Sequence, residues 1–196
     1  MSTTLIILGI IAVIALYAVS LYNRLVSLRN QVKNAWSQID VQLQRRYDLI
    51  PNLVESVKGY MDFERGTLEA VIKARNQAAS ARESVQQQGG PTEGSIQGVV
   101  GAEANLGRAL TSFFALAENY PQLRASENMK QLQEELSSTE NKIAFARQAY
   151  NDQAMSYNTA QEQFPANLMA SSLGHHPVDL YVIQDEEAKK AVKVSF

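Results

Sequence analysis

The sequence predicts an all-α protein: an N-terminal transmembrane helix, then an antiparallel up-and-down four-helix bundle, then a short C-terminal tail patterned like two short strands. Three observations carry this. Residues 5–21, LIILGIIAVIALYAVSL, hold no charged side chain. Long stretches beyond them are built from Ala, Gln, Glu, Leu and Arg, with glycine and proline confined to few places. Two of these stretches repeat apolar residues every seven positions, as helices packed at a shallow left-handed angle do.

Composition narrows the function classes. Lys+Arg 18 against Asp+Glu 20 leaves no general polyanion-binding surface, so nucleic acid is not an expected partner. Cysteine is absent, which excludes disulfides, thiolate chemistry and cysteine-ligated zinc or iron.

Taken in order, residues 1–4 form a short non-cytoplasmic tail and residues 5–22 the membrane helix. As a helix, residues 5–21 reach ~25 Å, close to the minimum that crosses a bilayer. A cleaved signal peptide is the rival, with Ala18-Val19-Ser20 as its cleavage site. No Lys or Arg precedes Leu5, however, and helical periodicity continues at once through Leu25, Leu28 and Val32. Arg24, Arg29, Lys33, Arg45 and Arg46 follow the apolar run, and the positive-inside rule then keeps the C-terminal part in the cytoplasm.

Helix A (residues 23–59) carries Trp36, Leu43, Ile50 and Val57 at steps of seven, with Pro51 among them. The phase agrees on both sides of the proline, which predicts a kink and not a break, with the Tyr47 carbonyl deprived of its usual donor. The rival is a reversal capped by Asp48. Helix B spans residues 67–85, although the seven-residue phase through Met61, Leu68 and Arg75 also suits one helix from 23 to 85. Helix C spans 95–120, with Ile96, Val99, Leu106, Leu110, Phe113 and Tyr120 on one side and Pro121 as its stop. Helix D spans 123–164, with Met129, Leu136, Ile143, Tyr150, Tyr157 and Phe164 seven apart. Helices A and D come to ~55 and ~63 Å, B and C to ~28 and ~39 Å, which pairs A with D and B with C. In the tail, residues 165–196, the segments 179–183 and 192–196 alternate weakly like strands. If D returns to the membrane, this tail lies near the lipid.

Sequence patterns that carry catalysis are missing: no phosphate loop, no paired His-Glu zinc helix, no nucleophile elbow. The adjacent His175 and His176 are read as solvated loop residues, and Glu134 and Glu135 as a solvated helix face. Gly98 and Gly101 point to close helix packing. No catalytic, cofactor-binding or metal residue is therefore predicted. One feature stands out: Glu140, Arg147, Asn151 and Asn158 form a polar line beside the aromatic stripe of D. In an antiparallel pair, partner numbers share a constant sum. Trp36 with Tyr150, Leu43 with Ile143, Ile50 with Leu136, Val57 with Met129 and Arg46 with Glu140 all give 186, and Asp40 with Arg147 gives 187. The polar line is read as a charged rung fixing register. The alternative is a small-molecule or enzymatic site around Glu140, Arg147 and Asn151, which requires a pocket with perturbed ionisation there.

The blocks YNRLVSLRNQVKNAWSQIDVQLQRRYDLIPNLVESVKGY and ASENMKQLQEELSSTENKIAFARQAYNDQAMSYNTAQEQFPANLMA, with the closing KVSF, closely resemble the LemA family across nearly the whole chain. The tail departs from the resemblance at His175-His176, where the family is more hydrophobic. The resemblance implies a single-pass protein of the bacterial inner membrane with a four-helix bundle and no established enzymatic activity. It also implies a link, in some members, to building intracellular membrane compartments such as magnetosomes, where the bundle can face the other side. The function so predicted is a non-enzymatic, membrane-anchored scaffold, adaptor or membrane-organising element. Its predicted partners are the bilayer, through residues 5–22, and other membrane proteins. A homo-oligomer that shapes membrane is a further alternative.

Overall fold

The computed structural model describes residues 2–60 and 64–182. Its first helix, α1 (Ser2–Val57), runs 56 residues, ~84 Å at 1.5 Å per residue, with no interruption where the apolar stretch gives way to the amphipathic one. Leu5, Val13 and Leu16 stand exposed on the first part. From Leu25 onward the buried apolar positions are Val32, Trp36, Ile39, Leu43, Tyr47, Ile50, Leu53 and Val57, at steps of three, four and seven. That periodicity is one helical face turned to a protein core.

Three further helices of some length follow: α2 (Arg65–Gln87), α3 (Ser95–Ala117) and α5 (Glu127–Glu162), with the single-turn α4 (Pro121–Ala125) between the last two. Helix α1 packs along α5, and α2 along α3. One cluster of buried residues, drawn from α1, α2, α3 and α5, joins the two pairs. Each Leu or Ile fully withdrawn from water there contributes about 1.5–3 kcal/mol.

Pro51 lies inside α1, and the reversal falls between Val57 and Arg65, not at Asp48. The Tyr47 carbonyl, which loses its usual donor to the proline, is taken instead by Arg75 of α2, whose Nε donates to it at 3.1 Å. One heptad along α2, Arg82 forms a two-pronged pair with Asp40, Nη2 to Oδ2 at 2.8 Å, one heptad back along α1. Two arginines seven apart thus meet two levels of α1 seven apart, and fix α2 antiparallel to it.

Some local expectations need correction. Pro121 does not cut off a helix at Tyr120. Helix α3 ends at Ala117, and the proline opens α4 from its first turn, where a missing N–H costs nothing. The heptad of α5 does not reach Phe164: the helix ends at Glu162 and Phe164 is 80% exposed, because Pro165 disfavours a helical conformation in the residue before it. Gly98 and Gly101 serve no close packing, since a Cβ at either would meet open space. No strand occurs among the described residues. Residues 179–182 form no strand, Val182 N–H turning back to the Leu180 carbonyl at 3.0 Å, and the second strand expected at 192–196 lies outside the described residues.

Candidate functional site

The register derived for the long pair holds at two points where side chains meet. Trp36 packs edge-on against Tyr150 with ring centroids 5.8 Å apart, and Arg46 Nη1 lies 3.0 Å from Glu140 Oε2. Asp40 and Arg147 do not pair. Asp40 is claimed by Arg82, and the Arg147 guanidinium lies over the Tyr181 ring, 4.7 Å from its centroid. The planar cation gains there from the face of the ring.

At the level of Arg46 the core holds a charge that sequence reasoning misses. Glu103 of α3 is only 6% exposed. Its Oε2 accepts from Arg46 Nη1 at 3.0 Å, and its Oε1 accepts from the Tyr47 hydroxyl. Burial pushes the Glu103 carboxyl above its ordinary value, while Arg46 and the Tyr47 hydrogen bond pull it down. The Tyr47 hydroxyl is held protonated, first by burial and then by the neighbouring Glu103. The position has a visible signal: Val99, Glu103, Leu106 and Leu110 share the apolar face of α3, so a carboxylate there has to find a buried partner.

The second feature is the path of the tail. The Asn158 amide grips the Val178 backbone, its Oδ1 accepting from the N–H at 3.0 Å and its Nδ2 donating to the carbonyl at 2.9 Å. Two turns earlier on α5, Asn151 grips the Tyr181 backbone in the same way, at 2.7 and 3.2 Å. Seven helical residues rise ~10.5 Å and three extended residues span about 10 Å, so the two spacings match. The Tyr150 hydroxyl donates to the Asp179 carbonyl at 2.7 Å, and the Asp179 carboxylate accepts from the Gly94 N–H at 2.9 Å, at the start of α3. The tail therefore runs back along α5 as a strap that ties it to the positive end of the α3 dipole.

His175 begins this strap and is not a solvated loop residue. It is 3% exposed, its Nδ1 lies 3.0 Å from the Tyr157 hydroxyl, and its ring meets Tyr22 and Tyr157 edge-on. Burial first, then Arg29 and His176, lower its pKa. His176 is exposed as expected.

Glu140, Arg147 and Asn151 follow one another along α5, and each meets another part of the chain: Arg46, the Tyr181 ring and the Tyr181 backbone, with the buried Arg147 Nε lacking a hydrogen-bond acceptor. Grooves lie elsewhere among the described residues. One of about 940 Å³ runs between the end of α1 and α2 and is lined by Val54, Lys58, Leu68, Ile72 and Lys73. Among the described residues no group of His, Asp or Glu is placed to hold a metal ion. What these polar groups do chemically is lock helices and strap into one register.

The magnetosome protein MamQ of Magnetospirillum gryphiswaldense is 26% identical over 174 residues, covering 82% of this chain and 64% of that protein. The chain thus spans less than two thirds of that relative's length. Magnetosome protein MamQ 2 of Paramagnetospirillum magneticum is 28% identical over 186 residues, 87% of this chain and 68% of the relative. Protein LemA of Metamycoplasma hominis is 28% identical over 167 residues, 84% and 70% of the two chains. The family model described as LemA family matches residues 35–196, from just before Trp36 through the strap and beyond, and the chain therefore belongs to the LemA family.

Proposed function

We propose that the protein is a membrane-anchored, non-enzymatic scaffold or adaptor. In this reading it is a four-helix bundle fixed to the cytoplasmic face of the bacterial inner membrane by a single span. The observation that carries this is the continuity of α1: the exposed apolar stretch that fits a membrane anchor and the central packing helix of the core are one uninterrupted helix. An anchor joined by a flexible linker would leave the bundle free to tumble. A continuous helix passes its tilt and rotation to the bundle and presents a constant face to neighbours in the membrane. Confinement near the lipid raises the effective concentration for membrane-bound partners without any active site. Arg24, Arg29 and Lys33 are exposed at the start of the bundle, where cationic side chains gain about 1 kcal/mol each from anionic headgroups.

The rival reading, a ligand or reaction site at Glu140, Arg147 and Asn151, loses support because those groups are already engaged by other parts of the chain. A second reading is favoured by the names of two relatives, which tie those proteins to the magnetosome. It is a homo-oligomeric assembly that organises a membrane compartment.

The test compares the full chain with residues 23–196 alone. The shorter chain is expected to be soluble and strongly helical, since residues 5–21 contribute nothing to the buried core. A photo-crosslinker at the exposed Phe145 in living cells should then capture the same recurrent membrane proteins from the anchored form only. Equal capture by the released bundle would sink the scaffold reading. Digestion of the bundle from outside intact spheroplasts would overturn its cytoplasmic side.

A further inference from the structure

The loop that follows α5, residues 163–174, holds no Asp, Glu, Lys or Arg, in a chain that is 19% charged. It nonetheless exposes large apolar side chains: Phe164 at 80%, Leu168 at 72% and Leu173 at 38%. Its position is fixed at the root of the anchor. Ala170 packs with Ala160 against Leu25, and His175, just past the loop, meets Tyr22 edge-on at 5.8 Å. Tyr22 and Leu25 are where the exposed apolar stretch of α1 ends and the packed part begins.

The backbone of the loop is also closed on itself. Two 3₁₀ turns, Ala166–Leu168 and Ser171–Leu173, satisfy most of its amides: Asn167, Met169 and Ala170 donate to Gln163, Ala166 and Ala166 at 2.8–3.0 Å, and Leu173 and Gly174 to Met169 and Ser171 at 3.0 Å. An uncharged loop with most of its N–H groups paired internally reduces the main penalty that keeps irregular backbone out of lipid, and a position at the headgroup boundary leaves the remaining amides within reach of water. A turn that served only to connect α5 to the strap would need none of these properties, and solvent would favour charge at the positions of Phe164 and Leu168.

We infer that residues 163–174 form a second membrane contact, a wedge whose Phe164, Leu168 and Leu173 side chains sit at the boundary of headgroups and acyl chains beside the emerging α1. The inference rests on residues 5–22 being the membrane span. Two contacts side by side fix the rotation of the bundle about α1 as well as its depth, so one face of the bundle is turned toward the lipid and the others away. The occupant is lipid and not a second copy of the chain because the loop packs at Leu25 and Tyr22, where the exposed apolar surface of α1 begins, so the wedge is continuous with that surface.

Because the chain has no cysteine, single cysteines can report depth directly. Phe164→Cys, Leu168→Cys and Leu173→Cys are each labelled with an environment-sensitive fluorophore. The full-length chain is then placed in vesicles of phosphatidylcholine and phosphatidylglycerol, with and without lipids carrying a nitroxide quencher. Val13→Cys, within the apolar stretch, and Phe145→Cys, exposed on α5 far from it, are the references. The expected result is blue-shifted emission and lipid-dependent quenching at the three loop positions and at Val13, with water-like emission and no quenching at Phe145. Loop probes that match Phe145 while Val13 is quenched would overturn the wedge and leave the anchor standing. An unquenched Val13 probe would remove the anchor and the wedge together. Shielded loop probes that self-quench until diluted with unlabelled protein would assign the surface to a second copy, and likewise overturn the inference.

Discussion

The two ends of the helical body are built differently. At the end next to the apolar stretch of α1, polar groups with fixed geometry hold the chain: Asn158 and Asn151 grip the strap, Tyr150 caps its Asp179 carbonyl, and Tyr157 meets His175. At the far end a groove of about 940 Å³ lies between α1 and α2, and the Glu55–Lys58 pair beside it is exposed to water. Among the described residues, the near end is tied by directional hydrogen bonds, and the far end is held chiefly by apolar packing. Directional bonds specify one arrangement, whereas apolar contacts tolerate several. Order is therefore greatest beside the apolar stretch, and the far end is the part free to adapt to something else.

The sharpest break is expected at the level where strap and core meet. Glu103→Ala leaves the Tyr47 hydroxyl without its acceptor and Arg46 with only the half-exposed Glu140 as a carboxylate partner. Removing one partner of a buried pair costs about 3–5 kcal/mol. Thermal unfolding of the full-length chain in detergent, followed by circular dichroism, reads this. Glu103→Gln, which keeps an acceptor for Tyr47, should lose distinctly less. The same geometry limits the rescue of Arg46→Glu by Glu140→Arg: Glu103 faces position 46 as closely as Glu140 does, so the first change sets two buried-side carboxylates together. Full recovery in the double variant would show that Glu140 is the dominant partner and Glu103 is not.

Next in size is the strap. Asn151→Ala and Asn158→Ala each delete a donor and an acceptor to backbone. At 0.5–1.5 kcal/mol net per hydrogen bond, each variant should lose about 1–3 kcal/mol. The difference between the two ends gives this loss a location. Amide exchange should quicken for residues around 175–182 and the start of α3, and stay unchanged around Leu68 and Ile72. Faster exchange at both ends would mean that the ends are coupled and the contrast between them is not real.

Much of this organisation is legible in the sequence, for identifiable reasons. Heptad spacing is a property of the chain alone, so the pairing of Trp36 with Tyr150 and Arg46 with Glu140 follows from residue numbers. A helix can be read through Pro51 because the apolar phase matches on both sides. What stays hidden involves partners distant in sequence and lacking a shared period. Glu103 and Arg75 each serve a residue on another helix, and nothing in their local pattern names Tyr47. His175 looks solvated because its neighbours are Gly174, His176 and Pro177. Its burial comes from Tyr22 and Tyr157, met only once α5 has returned to the start of the core. Asn151 and Asn158 stand out as a line, but the groups they hold are backbone, which carries no signature in sequence.

A smaller effect separates the near end from the rest by pH. His175 has a folded-state pKa below its ordinary value of 6.5, because burial disfavours the imidazolium and Arg29 and His176 repel it. The unfolded chain then binds a proton that the folded chain refuses, so this contribution is present above 6.5 and is lost as pH falls through the lowered folded value. Glu103 acts in the opposite sense: its raised pKa gives a contribution present below 4.5 that fades as pH rises through the raised value. One proton changes stability by at most about 1.4 kcal/mol per pH unit. Glu103 is common to both chains, so the comparison isolates the histidine: from pH 7.5 down to 5.5 the unfolding temperature of the native chain should drop relative to that of His175→Gln, which does not titrate. An unchanged slope in that variant would place the proton uptake elsewhere.

The smallest effect is expected at the far end, where the contrast is most easily lost. Lys58 Nζ and Glu55 Oε2 are 3.5 Å apart on adjacent turns, and both side chains are largely in water, at 66% and 75% exposure. Water screens the attraction, and holding two long side chains in one geometry costs entropy, so such pairs contribute between nothing and about 1 kcal/mol. Lys58→Ala should accordingly shift stability by no more than about 0.5 kcal/mol and leave the exchange of the strap amides untouched. Measured in the same unfolding experiment as Asn158→Ala, it sets the floor of the comparison. A loss as large as that of the asparagine would mean that the rim of the groove is held by directional polar contacts after all, and the far end would no longer be the adaptable one.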